Sequence, residues 1–457
     1  MDAIYRLFLE QKKIKLMECG FDVPESKMNN NLFDFQRFCV RKSLKNGRFA
    51  LFEDCGLGKT IQQLEWTKQV VEHTNKPVLI LTPLAVSGQT IMEGEKFGYT
   101  ISRLDISEQN SLKAQIYITN YDQLENVDAS MFSGIALDES SILKNFEGKM
   151  RSLIIDKFQQ TMYKSCWTAT PSPNDPMELG NHAEFLGVMT RNEMLSMYFV
   201  HDGGDTSKWR IKGHAEKEFW KWVSTWSIMI NKPSDIGFSD DGYVLPDLFI
   251  SEKTIETPKR DNGMLFNDIA VSATNFNQEL RLTKIERMDE AAKIAQLSGN
   301  VIIWVKQNEE ADYLKSLLTD VVEVRGNEKS EIKEKKLIGF GKGEFEKLIT
   351  KTKIAQFGLN YQNCGNQIFA SPDFSFESIY QAIRRSWRFG RKDPVNIVII
   401  TTDTMQNVIQ AWNTKQKQFL DMQSKMVEAM KHEYLKPQKG IFELQEITIP
   451  NFLKKSA

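Results

Sequence analysis

Phe49-Ala50-Leu51-Phe52-Glu53-Asp54-Cys55-Gly56-Leu57-Gly58-Lys59-Thr60 runs without a break into Ile61-Gln62-Gln63-Leu64-Glu65-Trp66. The apolar opening reads as a strand and the stretch from Ile61 as a helix, with two glycines between them. Glycines there let the backbone turn tightly and aim its N–H groups at phosphate oxygens. The following helix adds the positive end of its dipole. In this frame Gly56, Leu57 and Gly58 cradle phosphates, Lys59 reaches the β- and γ-phosphates of ATP, and the Thr60 hydroxyl ligates Mg²⁺. The alternative is a chance glycine turn before a helix. Glu53 stands where the long form of this pattern has its first glycine.

Outward from this stretch, short apolar runs alternate with helical patterns. In the N-terminal half they are Phe49–Phe52, Val78–Thr82, Ile116–Thr119, Gly134–Leu137 and Ser165–Thr168. In the C-terminal half they are Val301–Val305, Val321–Val324, Lys347–Thr350, Gln367–Ala370 and Val395–Thr401. Apolar strands separated by helices predict parallel sheets covered on both faces, hence an α/β chain of two similar lobes. Between them, four of the nine tryptophans (Trp209, Trp220, Trp222, Trp226) fall in a segment where the rhythm breaks. The expected division is an N-terminal helical segment over 1–30, a first lobe over 31–186 and a helical, tryptophan-rich insertion with linker over 187–250. A second lobe over 251–404 and a C-terminal helix with tail over 405–457 follow.

Composition narrows the classes. With 457 residues, 41% hydrophobic and 26% charged, the chain has the balance of a folded protein of several units. No apolar run approaches the ~20 residues of a membrane helix, and no charged-then-apolar leader is visible. The five cysteines are scattered, with no zinc or redox spacing, so a reducing cytoplasm is the expected compartment. A net charge of −1 lowers the prior for a small nucleic-acid module, though a basic groove can be cancelled by acidic surface elsewhere. Two segments are locally basic, Lys329–Lys353 and Asp205–Lys232. The second interleaves its tryptophans with cations, which suits either base stacking or a packed helix face.

Further motifs carry chemistry. Gly134-Ile135-Ala136-Leu137-Asp138-Glu139 is an apolar strand ending in two carboxylates, at the sheet edge where ligands bind in such folds. Asp138 would hold Mg²⁺ and Glu139 would polarise an attacking water; a surface pair capping the next helix is the alternative. Thr168-Ala169-Thr170-Pro171 follows another strand, and its hydroxyls could couple the nucleotide site to the second lobe. In Gln381-Ala382-Ile383-Arg384-Arg385-Ser386-Trp387-Arg388-Phe389-Gly390-Arg391, Arg385 and Arg388 are three apart and share a helix face. Arginines offered across a lobe interface stabilise a transferring γ-phosphoryl group; a solvated basic helix is the alternative.

Taken in order, these stretches together with Leu143-Lys144-Asn145 and Gly358-Leu359-Asn360 resemble the motifs of the Swi/Snf family, within the superfamily II helicase-like ATPases of the DEAD/DEAH-box kind. The resemblance covers about Leu32 to Thr402. It implies two RecA-like lobes with ATP and Mg²⁺ between them, Lys59, Asp138, Glu139, Arg385 and Arg388 in the chemistry, and Gly358 at the nucleotide. Leu32-x-x-Phe35-Gln36 is similar to the upstream motif whose glutamine reads adenine. Thr82-Pro83 and Thr119-Asn120-Tyr121 match positions that contact the nucleic-acid backbone. Trp209-Arg210-Ile211-Lys212 and Phe219 to Trp226 look like the compact helicases of tailed phages, which would put the chain in a bacterial host's cytoplasm. Ser140-Ser141 departs from the family's usual Ala-His, so coupling through that histidine is not carried over. The implied activity is DNA translocation, with duplex favoured and single-stranded or branched DNA open, and with replication or recombination proteins as partners. A strand-separating DNA or RNA helicase and a nucleotide-gated clamp with little turnover stay open as alternatives.

Overall fold

The computed structural model describes residues 19–434 except 85, 146, 203–204, 259–272, 358–360 and 372–374. Residues 1–18 of the helical segment expected over 1–30, the Gly358 loop and the tail beyond Tyr434 lie outside the described residues.

The first lobe is built on β1 (Arg48–Glu53), β2 (Val78–Thr82), β3 (Ile101–Arg103), β4 (Ile116–Asn120), β5 (Gly134–Asp138) and β6 (Tyr163–Trp167). A hairpin of β7 (Phe199–Asp202) and β8 (Asp205–Ile211) follows, and β9 (Ser227–Ile230) rejoins the sheet. The order is β3-β4-β2-β5-β6-β1-β9, parallel at every pairing. The second lobe comprises β10 (Leu248–Ile255), β11 (Val301–Val305), β12 (Val321–Glu323), β13 (Lys347–Lys351), β14 (Asn366–Phe369) and β15 (Val395–Thr402). Its order is β10-β15-β14-β11-β13-β12, again parallel throughout. β2, β6 and β11 are buried at every residue. Helices on both faces leave no solvent side, which is why these strands read as unbroken apolar runs.

Parallel neighbours require crossovers, and helices supply most of them. In the first lobe α1 (Asp34–Asn46) leads into β1, and the helices after it are α2 (Lys59–Thr74), α3 (Ser87–Phe97), α4 (Lys149–Lys157), α5 (Leu179–Leu186), α6 (Arg191–Tyr198) and α7 (Glu216–Trp226). In the second they are α8 (Ala273–Leu282), α9 (Lys284–Leu297), α10 (Asn308–Leu317), α11 (Ser330–Lys342) and α12 (Phe376–Ser386), before α13 (Gln406–Tyr434).

The segment 187–250, expected as a helical insertion, also carries a hairpin and a strand. β9 pairs with β1 along Ala50↔Ser227 to Glu53↔Ile230, so the end of this segment completes the first sheet. Trp220 and Trp226 are buried, and Trp222 lies against Tyr198 with ring centroids 5.5 Å apart. For these three rings the packed helix face is what forms. Trp209, on the hairpin, is half-buried against the core and tilted over His201, with ring centroids 3.7 Å apart.

α13 ties the lobes together. Its apolar residues recur at helical spacing: Val408, Ile409 and Trp412, then Phe419, Met422, Met426 and Met430, all buried. Phe419 packs on Phe376 and Tyr380 of α12 at 5.3 and 5.5 Å. Farther along, the Met430 sulfur accepts the Met229 N–H of β9 at 2.8 Å, and Lys425 pairs with Glu216 of α7 at 2.7 Å. One helix therefore runs from the second sheet to the outer edge of the first.

Candidate nucleotide site between the lobes

The phosphate loop leaves β1 at its carboxyl end and enters α2 at its amino end. Gly56 (φ +94°) and Gly58 (φ +80°) adopt left-handed backbone that only glycine takes without strain. Close approach also demands them: a Cβ on Gly56 would fall 2.8 Å from the Phe389 ring of the second lobe, and one on Gly58 2.3 Å from the Gln36 amide. Lys59 folds its ammonium back onto the loop, donating to the carbonyls of Glu53 (2.7 Å) and Asp54 (3.1 Å). Leu57 is buried in the core, while Lys59 and Thr60 stay half-buried at the start of α2.

Glu53, at the position where the long phosphate-loop pattern has glycine, is fully buried and accepts from the Gln62 amide at 2.6 Å. Burial pushes its carboxyl up to about 7, against the pull of the Lys59 charge and the Gln62 hydrogen bond. Because the folded carboxyl holds its proton more tightly than the unfolded one, stability falls as pH rises from about 4.5 to about 7. Glu53→Gln removes that loss. Denaturant unfolding should show it more stable than the parent by on the order of 2 kcal/mol near pH 8, with no such gain near pH 4.

The acidic pair ends β5, beside β2 and β6. Asp138 accepts from the Thr82 hydroxyl at 2.9 Å, and its backbone carbonyl accepts from the Tyr121 hydroxyl at 2.7 Å. Burial and the neighbouring Glu139 charge push the Asp138 carboxyl up to about 6. Glu139 sits at φ +53°, a left-handed conformation, and accepts from the hydroxyls of Thr168 (2.7 Å) and Ser141 (3.1 Å). Two carboxylates held this close, with a hydroxyl on the adjacent loop, form the small oxygen set that suits Mg²⁺ shared with substrate phosphates. A cation there would relieve the repulsion that raises Asp138.

The second lobe reaches across at several places. Thr170 donates to Glu377 of α12 at 3.2 Å, and Lys144 pairs with the other Glu377 oxygen. Thr168 on Glu139 and Thr170 on the second lobe thus link the two through one short loop. From the same helix, Arg384 pairs with Asp54 and donates to the Cys55 carbonyl at 2.9 Å, and the Tyr380 hydroxyl donates to Asp54 at 2.7 Å. Arg388 is held near Arg385, and burial together with that like charge lowers its pKa. Tyr243 of the linker bridges Phe35 of α1 and Phe389, 5.1 Å from each, with the exposed ring of Phe33 beside it.

Several expected site residues hydrogen-bond within the first lobe. Gln36 is buried, with its oxygen on the Phe33 N–H (2.9 Å) and its nitrogen on the Leu57 carbonyl (2.8 Å). It props the phosphate loop, and both halves of its amide are taken. Thr82 and Tyr121, expected on the nucleic-acid backbone, are buried behind Asp138. The cause is topological: β2 and β4 end level with β5, so hydroxyls at their ends meet its last residue. Thr119 is also buried, and Asn120 caps the following turn through the N–H groups of Asp122 and Gln123. Pro83 is half-buried, next to the exposed Leu84. Arg385 lies in the last turn of α12, whereas Arg388 follows the helix end at Ser386 and so does not share its face; Arg388 is within electrostatic reach of Cys55, and the direct contact with the phosphate loop is made by Arg384.

Sequence reading did not single out His182, Glu377, Asp54 or Tyr380. The His182 ring lies 3.3 Å from the Ser140 hydroxyl, and burial pushes the imidazole down to about 4. An imidazole therefore sits behind the acidic pair from α5, although the chain carries serine where the family has histidine. No local signal could have marked these residues, because their partners lie tens to hundreds of positions away.

Comparison with known proteins agrees with this architecture. The family model for the helicase conserved C-terminal domain matches residues 283–390. The SWI/SNF chromatin-remodeling complex subunit snf22 of Schizosaccharomyces pombe is 22% identical over 91% of this chain and 28% of its own length. A SWI/SNF-related matrix-associated actin-dependent regulator of chromatin subfamily A-like protein 1 from Xenopus tropicalis is 27% identical over 36% of this chain and 18% of its own. The chain spans less than a third of either relative. Among solved structures, S. cerevisiae Dbp5 bound to RNA and ADP BeF3 shares the fold, with a TM-score of 0.54 at 13% identity, covering 87% of this chain and 93% of that one. The Sulfolobus solfataricus SWI2/SNF2 ATPase core in complex with dsDNA gives a TM-score of 0.43 at 17% identity, over 91% and 98%.

Proposed function

We propose that the chain, which is similar to Swi/Snf-type, superfamily II helicase-like proteins, is a nucleic-acid-dependent ATPase that moves along DNA, duplex favoured. One observation carries the reading: a phosphate loop and acidic pair on one lobe face an arginine helix on the other, with buried contacts joining the two sides. Lys59 exchanges its two loop carbonyls for phosphate oxygens. Thr60 and Asp138 would hold Mg²⁺, which supplies charge neutralisation at the phosphates when bound. Glu139, oriented by Thr168 and Ser141, takes the proton of the attacking water. Arg385 and Arg388 stabilise the charge that develops on the transferring group. With Gln36 occupied, the adenine ring would rest on the exposed face of Phe33.

Hydrolysis reaches the second lobe through Thr168, Thr170 and Glu377, and α13 carries relative movement of the lobes back to the edge of the first sheet. Alternating grips on the phosphate backbone would turn that movement into travel, independent of sequence. The place of action is a bacterial host's cytoplasm, with replication or recombination proteins as partners. Triplex displacement tests the reading, since it reports travel along a duplex without strand separation. ATP-driven release of the third strand, lost in Lys59→Ala, is expected. Unwinding of a forked duplex without triplex release would favour a strand-separating helicase.

A further inference from the structure

Asp54 is the second residue of the phosphate loop's approach and is almost fully buried. Its carboxylate is completely employed. One oxygen accepts from the Tyr380 hydroxyl (2.7 Å) and from the Cys55 N–H (2.6 Å), and the other takes Arg384. Arg384 is 1% exposed, and its guanidinium also donates to the Cys55 carbonyl at 2.9 Å. Rings of Trp387 and Phe389 flank it, 4.8 and 5.8 Å from the guanidinium carbon. A planar, delocalised cation suits this slot, where the point charge of lysine would not. Both chain ends of the contact matter, because Asp54 lies five residues before Lys59, while Arg384 precedes Arg385 and lies four residues before Arg388.

Resting on the reading above, we propose that Arg384 is a positioning residue: by gripping Asp54 and the Cys55 carbonyl it sets the height of Arg385 and Arg388 over the phosphate loop when the lobes close. Three physical points support this. A buried ion pair contributes little net stability compared with apolar packing, so stabilising the fold is not what the pair is suited to do. What it fixes is geometry, since Arg384, Tyr380 and the Cys55 carbonyl constrain loop and helix together. Finally, the Nε and Nη1 atoms of Arg384 and the Nε of Arg385 are buried without a hydrogen-bond partner among the described residues. The arginine side of the cleft thus has donors to spare for an anion, while Asp54 already occupies the one that registers the lobes.

Loss of either partner leaves a charge that water can reach only if the cleft opens. Arg384→Ala and Asp54→Asn should therefore fold and bind nucleotide through the first lobe, yet rest more open. Three measurements test this: turnover with duplex DNA, affinity for a fluorescent ATP analogue, and the radius of gyration in solution. Each variant should lose about 10–100-fold in turnover, as expected for catalytic groups displaced by about an ångström. Analogue affinity should stay within about threefold, since phosphate-loop contacts are retained. The radius of gyration should increase, and Asp54→Asn/Arg384→Ala should be no worse than the weaker single variant. Arg384→Lys should recover little. Full turnover in Arg384→Ala, additive losses in the double variant, or an unchanged radius of gyration would each overturn the proposal. A wild-type protein that hydrolyses nothing would instead sink the ATPase reading, with the radius of gyration still deciding whether the contact registers the lobes.

Discussion

Glu139→Gln is expected to lower ATP turnover by about 10²–10⁴, the contribution a positioned general base usually makes, while leaving nucleotide affinity nearly unchanged. The carboxylate is set by two hydroxyls, Thr168 and Ser141, and by a left-handed backbone at φ +53°. Glutamine keeps the shape and can still accept both hydroxyl hydrogen bonds, but it cannot take a proton from water. Single-turnover hydrolysis alongside analogue binding separates the two effects. A fall in binding equal to the fall in turnover would mean that Glu139 serves the nucleotide's ground state.

Arg388→Ala should cost more, about 10³–10⁵ in turnover, as removal of arginine fingers does. Its expected effect on stability has the opposite sign. Arg388 is half-buried near Arg385, and burial with that like charge disfavours its own charge, a setting that a bound triphosphate would make favourable. Deleting Arg388 removes that like-charge contact. The melting temperature of the variant should match or exceed that of the parent while turnover collapses. A drop in both would mark Arg388 as a structural cation.

Much of this arrangement could be read along the chain, for a definite reason. Strands such as Val78–Thr82 and Val301–Val305 are covered on both faces, so burial writes itself into consecutive residues and their limits match the structure. The glycines, Lys59 and Thr60 are legible because a phosphate cradle is made by neighbours in sequence. β9 was hidden behind a tryptophan-rich helix, as four residues whose partner lies more than 170 positions earlier. The hydrogen bonds of Thr82, Tyr121 and Gln36 were hidden for a related reason. Sequence places each at a strand or helix end but cannot say which way its hydrogen bonds run, and all three turn inward to support Asp138 or the loop. Arg384 and Asp54 are separated by 330 positions, and their contact exists only once two lobes meet.

Steady-state ATP hydrolysis by the purified chain, alone and with duplex DNA, single-stranded DNA or RNA, tests the central claim most directly, with Lys59→Ala as the blank. Strong stimulation by duplex DNA that disappears in Lys59→Ala is the predicted result. Hydrolysis no higher than the blank with every nucleic acid would contradict it, and would leave a nucleotide-gated clamp in place of a motor.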